Sequence, residues 1–277
     1  MYFNLTYIGV VIEIDTYLNN NRGILMLIFV TMLMMGLLLG FIGAGGSGFI
    51  ISILTAFFGV PIHIALGTSL AAMVLTSLSL AFSHYREQNV VVRVGLAVGL
   101  FGIVGAFYGS RIAHVIPDQQ LTWLTASMLF LSALLLWLRI FTKFGRVFES
   151  KDMRTIPKGF YFWVAAAGLG LLTGMLSGAF GIGSSTYIQI GLLVIFGFSL
   201  QQSVGTTLFI ILPIAFVGGL GYYTIGSLDV QLFMKVAAGT MIGSYIGAKF
   251  TNRLHPMILK IALVGVPIIG GLLLLFG

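Results

Sequence analysis

Between Arg22 and Arg86 this chain contains no Asp, Glu, Lys or Arg, and none occurs between Lys158 and Asp229. Apolar runs of this length exceed the ~20 residues of one transmembrane helix several times over. Lipid offers a backbone N–H or C=O no partner, so such runs must fold into helices that satisfy their own backbone. Only 8% of the residues are charged, where a soluble domain carries about a quarter. These observations predict a polytopic integral membrane protein with most of its chain inside the bilayer, and they exclude a soluble domain.

A second feature narrows the architecture. Residues 36–121, moved along by 138 positions, fall on 174–259 without a gap. Gly36, Gly40, Gly43, Gly45, Gly59, Gly67, Gly105 and Gly109 land on Gly174, Gly178, Gly181, Gly183, Gly197, Gly205, Gly243 and Gly247. The first window holds 13 glycines and the second 14, so chance would pair about two, and eight are paired. Ser47 meets Ser185, Thr68 meets Thr206, Ser69 meets Thr207 and Arg111 meets Lys249. Duplication of one ancestral unit explains the match. Duplicated halves with glycine-broken apolar segments in corresponding places point to a transporter, with its ligand site near the breaks.

The apolar pattern predicts spans over 24–42, 63–84, 93–115 and 119–140, then over 160–180, 201–224, 231–252 and 257–276. Between the first two spans of each set lies a short apolar piece, 49–59 and 187–197. Neither can cross ~30 Å of hydrocarbon at ~1.5 Å per residue. Each follows a Gly/Ser run, Gly43-Ala44-Gly45-Gly46-Ser47-Gly48 and Gly181-Ile182-Gly183-Ser184-Ser185-Thr186. Each glycine weakens a helix by about 1 kcal/mol relative to Ala, so these runs favour a break. The expected fold is therefore all-α, with two homologous repeats of four spans plus one half-helix each. A leader (1–23), a first repeat (24–141), a basic linker (142–159) and a second repeat (160–277) divide the chain. The leader lacks a basic n-region and a small-residue cleavage site, and reads as interfacial or loosely ordered.

Charge arbitrates orientation. Lys143, Arg146, Lys151, Arg154 and Lys158 crowd into the linker, with Arg139 at its edge, which marks the linker as cytoplasmic. If the short pieces complete a crossing, the repeats are inverted. The Arg86/Arg93 and Lys249/Arg253/Lys260 connections then fall inside, and the Asp229 connection falls outside with both termini. Parallel repeats would move the Lys249 corner outside, so inversion fits the charges better. No aromatic–basic module accompanies the positive charge, so no nucleic-acid partner is expected. Cysteine is absent, which removes thiolate chemistry.

The duplicated pattern G-x-x-G-x-G-[GS]-S, then G-T-[ST], then G-x-x-x-G-[SA]-[RK] resembles the TauE/SafE membrane permease family. It reads Gly40 to Ser47, Gly67-Thr68-Ser69 and Gly105 to Arg111 in the first copy. In the second it reads Gly178 to Ser185, Gly205-Thr206-Thr207 and Gly243 to Lys249. One departure is that Pro61, after the first short piece, is matched by Ser199. The resemblance implies a permease for small anions, often sulfur-containing, such as sulfite, sulfoacetate and other organosulfonates.

The residues themselves suit an anion. A half-helix N-terminus presents free N–H groups and a positive dipole end, glycine lets backbone approach closely, and small hydroxyls donate hydrogen bonds. Gly45, Gly46, Ser47 and Gly48, with Gly183, Ser184, Ser185 and Thr186, are the expected substrate-binding set. Thr68, Ser69, Thr206 and Thr207, a turn into the next spans, either join it or bond their own i−4 carbonyls. Arg111, Lys249 and Gln201 are candidate anion-attracting residues, with snorkelling or interfacial capping as the alternative. His63 matches Gln201. His84 has no histidine counterpart, since Tyr222 takes its place. No carboxylate lies mid-span, and neither HExxH nor a Ser/His dyad is embedded, so no catalytic residue, metal or cofactor is expected. The expected function is a secondary transporter of the cytoplasmic membrane, with an anion channel as the alternative; a homo-oligomer is compatible with the sequence.

Overall fold

Every apolar run becomes a helix in the computed structural model, which describes residues 22–42, 47–141, 159–182, 184–250 and 256–277. The first half forms α1 (Arg22–Ile42), α2 (Ser47–Ala56), α3 (Ile62–Arg86), α4 (Val92–Val115) and α5 (Asp118–Phe141). The second forms α6 (Phe160–Phe180), α7 (Ser185–Phe196), α8 (Leu200–Thr224), α9 (Val230–Phe250) and α10 (Pro256–Phe276). All ten expected segments are present, with boundaries within three residues of their expected places. Each helix of the first half starts 138 positions before its counterpart in the second. Among the described residues there is no strand, and six helices (α1, α3, α4, α5, α6 and α8) are long and apolar enough to cross a membrane. The leader up to residue 21 and the linker residues 142–158 lie outside the described residues.

Matched positions do matched local work. The short helices α2 and α7 both end in the same turn, with Val60 N–H donating to Leu54 O and Phe198 N–H to Leu192 O. Gly59 and Gly197 take φ of 63° and 64° there, a left-handed conformation that suits glycine. The Pro61/Ser199 departure leaves helix starts in register. Pro61 precedes α3 with φ preset, whereas Ser199 and Gln202 form a reciprocal capping box at the start of α8.

The halves are interlocked. Helix α1 packs along α9 of the other half, and α4 along α6. The repeated glycines make these contacts: Gly36 faces the Thr240 backbone and Gly40 that of Ser244, while Gly174 faces Gly102 and Gly178 faces Ala106. A Cβ on Gly36 would lie 2.6 Å from the Thr240 oxygen. Small residues spaced by four let helix backbones touch, a means of association that works in lipid. Residue numbers rise together along both pairs, so each pair is parallel.

Counterpart helices run the other way. Gly67 of α3 packs on the Ser227 carbonyl just beyond α8, and Gly205 of α8 packs on the Asn89 carbonyl just beyond α3. These two helices are therefore antiparallel. Gly271 of α10 seats on the Phe130 ring of α5, and Val264 packs with Ala133 and Leu136, so α5 and α10 are antiparallel too. Helices α2 and α3 pack as a hairpin, and Gly95 and Gly102 of α4 pack on Phe209 and Ile214 of α8, so α4 runs parallel to α8 and opposite to α3. The linker end of the bundle thus gathers the C-terminal ends of α3, α5 and α9 and the N-terminal ends of α4, α6 and α8. Exposed Trp137, Phe141, Phe160, Tyr161 and Trp163 ring this end, as aromatic side chains do at a membrane interface.

Candidate functional site

Helix α6 ends at Gly181, whose φ of 64° turns the chain back on itself. Three residues on, Ser184 holds φ 47° and ψ 23° immediately before α7. A left-handed residue with a side chain is uncommon, and its counterpart in the first half is Gly46. Ser184 makes no side-chain cap to α7. Its Oγ is buried without a hydrogen-bond partner. The first helical bond of α7 runs from Ile188 N–H to Ser184 O, so the N–H groups before it have no acceptor within the helix. Among the described residues nothing caps the positive end of α7.

A cavity lies against this end. Its wall combines the starts of α2 (Gly48, Phe49) and α7 (Ser184 to Tyr187, Gln189) with α5 (Leu129, Ser132, Leu136) and α10 (Leu263, Val266, Pro267). It measures about 90 Å³, room for about three waters at ~30 Å³ each or for one small oxyanion. Ser132 Oγ donates to Thr186 Oγ1 at 3.0 Å. Arg139 Nη1 donates to Gln189 Oε1 at 2.6 Å. Tyr187 OH is committed to the Met128 carbonyl at 2.8 Å. Gly48 stands on the opposite wall, where a Cβ would displace the end of the Leu129 side chain.

The expected site residues separate into groups. Gly48, Ser184, Ser185 and Thr186 line the cavity. Ser47, the first residue of α2, is buried beside it with Oγ unpartnered, and its carbonyl accepts a 3.0 Å bond from Ser69 Oγ. Thr206 Oγ1 accepts from Val91 N–H at 3.0 Å, pinning the α3–α4 turn to α8. Thr68 and Thr207 are buried with unpartnered hydroxyls, and neither reaches the cavity wall. Arg111 is exposed, with its guanidinium over the Phe107 ring at 4.5 Å, and Gln201 is exposed at the start of α8. Gly45, Gly46, Gly183 and the side chain of Lys249 lie outside the described residues.

Histidines sit at the two ends. His63 Nε2 lies 3.0 Å from Asp118 Oδ1 at the end remote from the linker, with the His114 ring 6.2 Å away edge-on. His84 Nδ1 is 3.7 Å from Glu87 at the linker end. No group of three or more His, Cys, Asp or Glu among the described residues is arranged to hold a metal ion.

Sequence reasoning passed over Ser132, Tyr187 and Gln189, and read Arg139 as the edge of the basic linker. A signal was available in the places where the two copies differ. Gln189 is the one amide inside the short apolar pieces, and the first copy has Ile51 there.

The model of the sulfite exporter TauE/SafE family matches residues 28–274. This chain belongs to the TauE/SafE family. A probable membrane transporter protein of Bacillus subtilis, YdhB, is 50% identical over 251 residues, covering 91% of this chain and all of that protein. A probable membrane transporter protein of Methanocaldococcus jannaschii is 25% identical, covering 91% of this chain and 96% of its own. One from Xylella fastidiosa is 27% identical over 79% of this chain and 82% of its own. No solved structure matches the chain. The TauE/SafE assignment and the six apolar spans make this protein a multi-pass membrane transporter.

Proposed function

We propose that this transporter is a secondary carrier of small, sulfur-containing oxyanions such as sulfite or sulfoacetate across the cytoplasmic membrane. Its two halves, 24–141 and 160–277, act as inverted repeats of four spans and one half-helix each, joined by the cytoplasmic linker 142–159. Antiparallel α3/α8 and α5/α10 support inversion: counterparts related by an axis along the membrane normal would run parallel. Inversion also puts the basic linker, Arg86 and Arg93 on one face and Asp229 on the other, in accord with the positive-inside rule.

The observation that carries the substrate class is the open N-terminus of α7 facing a cavity with a buried, unpartnered Ser184 hydroxyl. Such a place supplies donors without a mobile counter-charge, which is what an anion needs in a low-dielectric setting. The family's description names sulfite, and the cavity volume suits a small oxyanion. Alternating access around this point is the transport mode that inverted repeats of this kind use.

Counterflow of radiolabelled sulfite into proteoliposomes preloaded with unlabelled sulfite tests the proposal. Saturable accumulation, competed by sulfoacetate and thiosulfate and poorly by chloride, is the expected result. Well-folded protein that gives no counterflow, or single-channel currents in place of it, overturns the carrier reading.

A further inference from the structure

The turns that follow α3 and α8 match residue for residue. Gln88 and Asn89 donate backbone bonds to the Tyr85 and His84 carbonyls, and Gly226 and Ser227 donate the same bonds to those of Tyr223 and Tyr222. Gln88 and Gly226 both take a positive φ, 58° and 80°. Gly205 of α8 packs on the Asn89 carbonyl, and Gly67 of α3 on that of Ser227. In the first turn this register brings the Val91 N–H to Thr206 Oγ1 at 3.0 Å. Moved by the 138 positions of the repeat, the same two places are Asp229 and Thr68. The backbone relation therefore sets Thr68 beside Asp229 as Thr206 stands beside Val91, and a carboxylate occupies the place of an apolar side chain.

The surroundings of the two turns differ as well. Glu87 and Gln88 of the first are exposed, and the Asn89 amide donates to the Glu87 carboxylate. In the second, Asp229 is 4% exposed, and Ser227 and Thr68 are each 0% exposed. Asp229 Oδ1 accepts the Leu232 N–H at 2.9 Å, at the start of α9. Its Oδ2 has no hydrogen-bond partner, and neither has Ser227 Oγ or Thr68 Oγ1. Among the described residues no Lys, Arg or His forms an ion pair with this carboxylate. The sequence placed Asp229 in a connection between spans; the structure buries it.

We infer that Asp229, Ser227 and Thr68 hold a sodium ion between α3 and the α8–α9 turn. The inference goes beyond the anion-carrier reading and does not depend on it.

The argument starts from the carboxylate. Burying its charge is costly unless a counter-charge and hydrogen bonds replace the lost hydration. The Leu232 N–H and the positive end of α9 do part of this at Oδ1. Oδ2 remains, and the unpartnered groups in the adjoining segments are hydroxyls, whose oxygens offer lone pairs to a cation. Carboxylate and hydroxyl oxygens together suit a hard cation. The turn also follows the C-terminal end of α8, where the last carbonyls and the negative end of the helix dipole favour positive charge. Transporters use the same elements, helix C-termini and loop oxygens, to hold sodium. A single carboxylate balances a monovalent ion, whereas a divalent ion would leave net charge in a low-dielectric setting. The turn lies at the end remote from the linker, so in the inverted arrangement the ion enters from the outer face.

The alternative reading is that Asp229 only caps α9. Asparagine caps a helix as well as aspartate does and has nearly the same shape, so Asp229→Asn keeps the cap and removes the charge. Thr68→Val keeps the volume and removes a hydroxyl on α3 that takes no part in the cap.

The full chain, purified in detergent, is titrated with sodium chloride against potassium chloride and choline chloride at constant ionic strength and pH, and its thermal unfolding is followed. We expect sodium to stabilise the wild type saturably and choline to have no effect. In choline chloride Asp229→Asn should melt at the wild-type temperature or higher. It should need about tenfold or more sodium for half-maximal stabilisation, and Thr68→Val several-fold more. Absence of any sodium effect on the wild type overturns the inference, as do equal half-maximal concentrations in all three proteins. Stabilisation that follows a fall in pH in place of sodium, and is lost in Asp229→Asn, overturns the sodium assignment in favour of a proton. No sulfur oxyanion is present in the titration, so failure here leaves the carrier reading to its own counterflow test.

Discussion

Ser184 concentrates the residue-scale argument. Its φ of 47° is a position where glycine would be relaxed, and it stands at an open helix start. Replacing it with glycine removes both the strain and the hydroxyl. Ser184→Gly should therefore melt at the same temperature or a few degrees higher, consistent with a relief of about 1 kcal/mol, while sulfite counterflow falls several-fold. Loss of stability together with unchanged flux would assign Ser184 a purely architectural role. Thr206 teaches the opposite lesson. Its pairing with Thr68 across the copies marks it in the sequence as a candidate ligand, yet its hydroxyl is taken by the Val91 N–H in the α3–α4 turn. A hydroxyl's role depends on which orphan donor lies beside it, and nothing in the sequence near Thr206 names a partner 115 residues away.

At the scale of elements, the glycines divide by what they touch. Gly178 faces the Ala106 backbone across the α4–α6 contact, whereas Gly168, on the same helix α6, has nothing within 4 Å of where a Cβ would stand. Gly178→Ala should force α4 and α6 apart and lower stability by about 2 kcal/mol or more. Gly168→Ala should raise stability by about 0.5–1 kcal/mol through helix propensity alone. Thermal unfolding of the two purified variants checks the pair, and a destabilised Gly168→Ala beside a tolerant Gly178→Ala would contradict the contact assigned to α4 and α6. Helix boundaries were legible because charge, proline and glycine punctuate the apolar runs. Four-residue spacing also puts Gly36/Gly40 and Gly174/Gly178 each on one helix face, the arrangement that suits close packing. Their partners were not legible, because α1 could have packed on any neighbour within its own half. The structure pairs it with α9 of the other half.

For the whole molecule, the direction of α3 against α8 is the fact with the widest consequence. If the halves are inverted, Gln88 and Gln231 face opposite sides of the membrane, since one lies in the α3–α4 turn and the other at the start of α9, whereas parallel halves would put both on one side; both are exposed. The natural chain has no cysteine, so Gln88→Cys and Gln231→Cys each give a single thiol without further engineering. A membrane-impermeant maleimide applied to intact cells should label Gln231→Cys and spare Gln88→Cys until the cytoplasmic face is exposed. Labelling of both from the same side would rule inversion out. By itself, the sequence determined what could be decided locally or by self-comparison: an all-helical membrane chain, ten segments with their bounds, a duplication in register and membership of a transporter family. Hydropathy, helix breaking and repetition are written along the chain, residue by residue. The tertiary structure alone decided which helices touch, which hydroxyls are spoken for and which remain open, and that Ser132 meets Thr186 and Arg139 meets Gln189 on α7. These are long-range facts, produced by two interlocked halves, and side chains over 50 residues apart become neighbours only when the bundle closes.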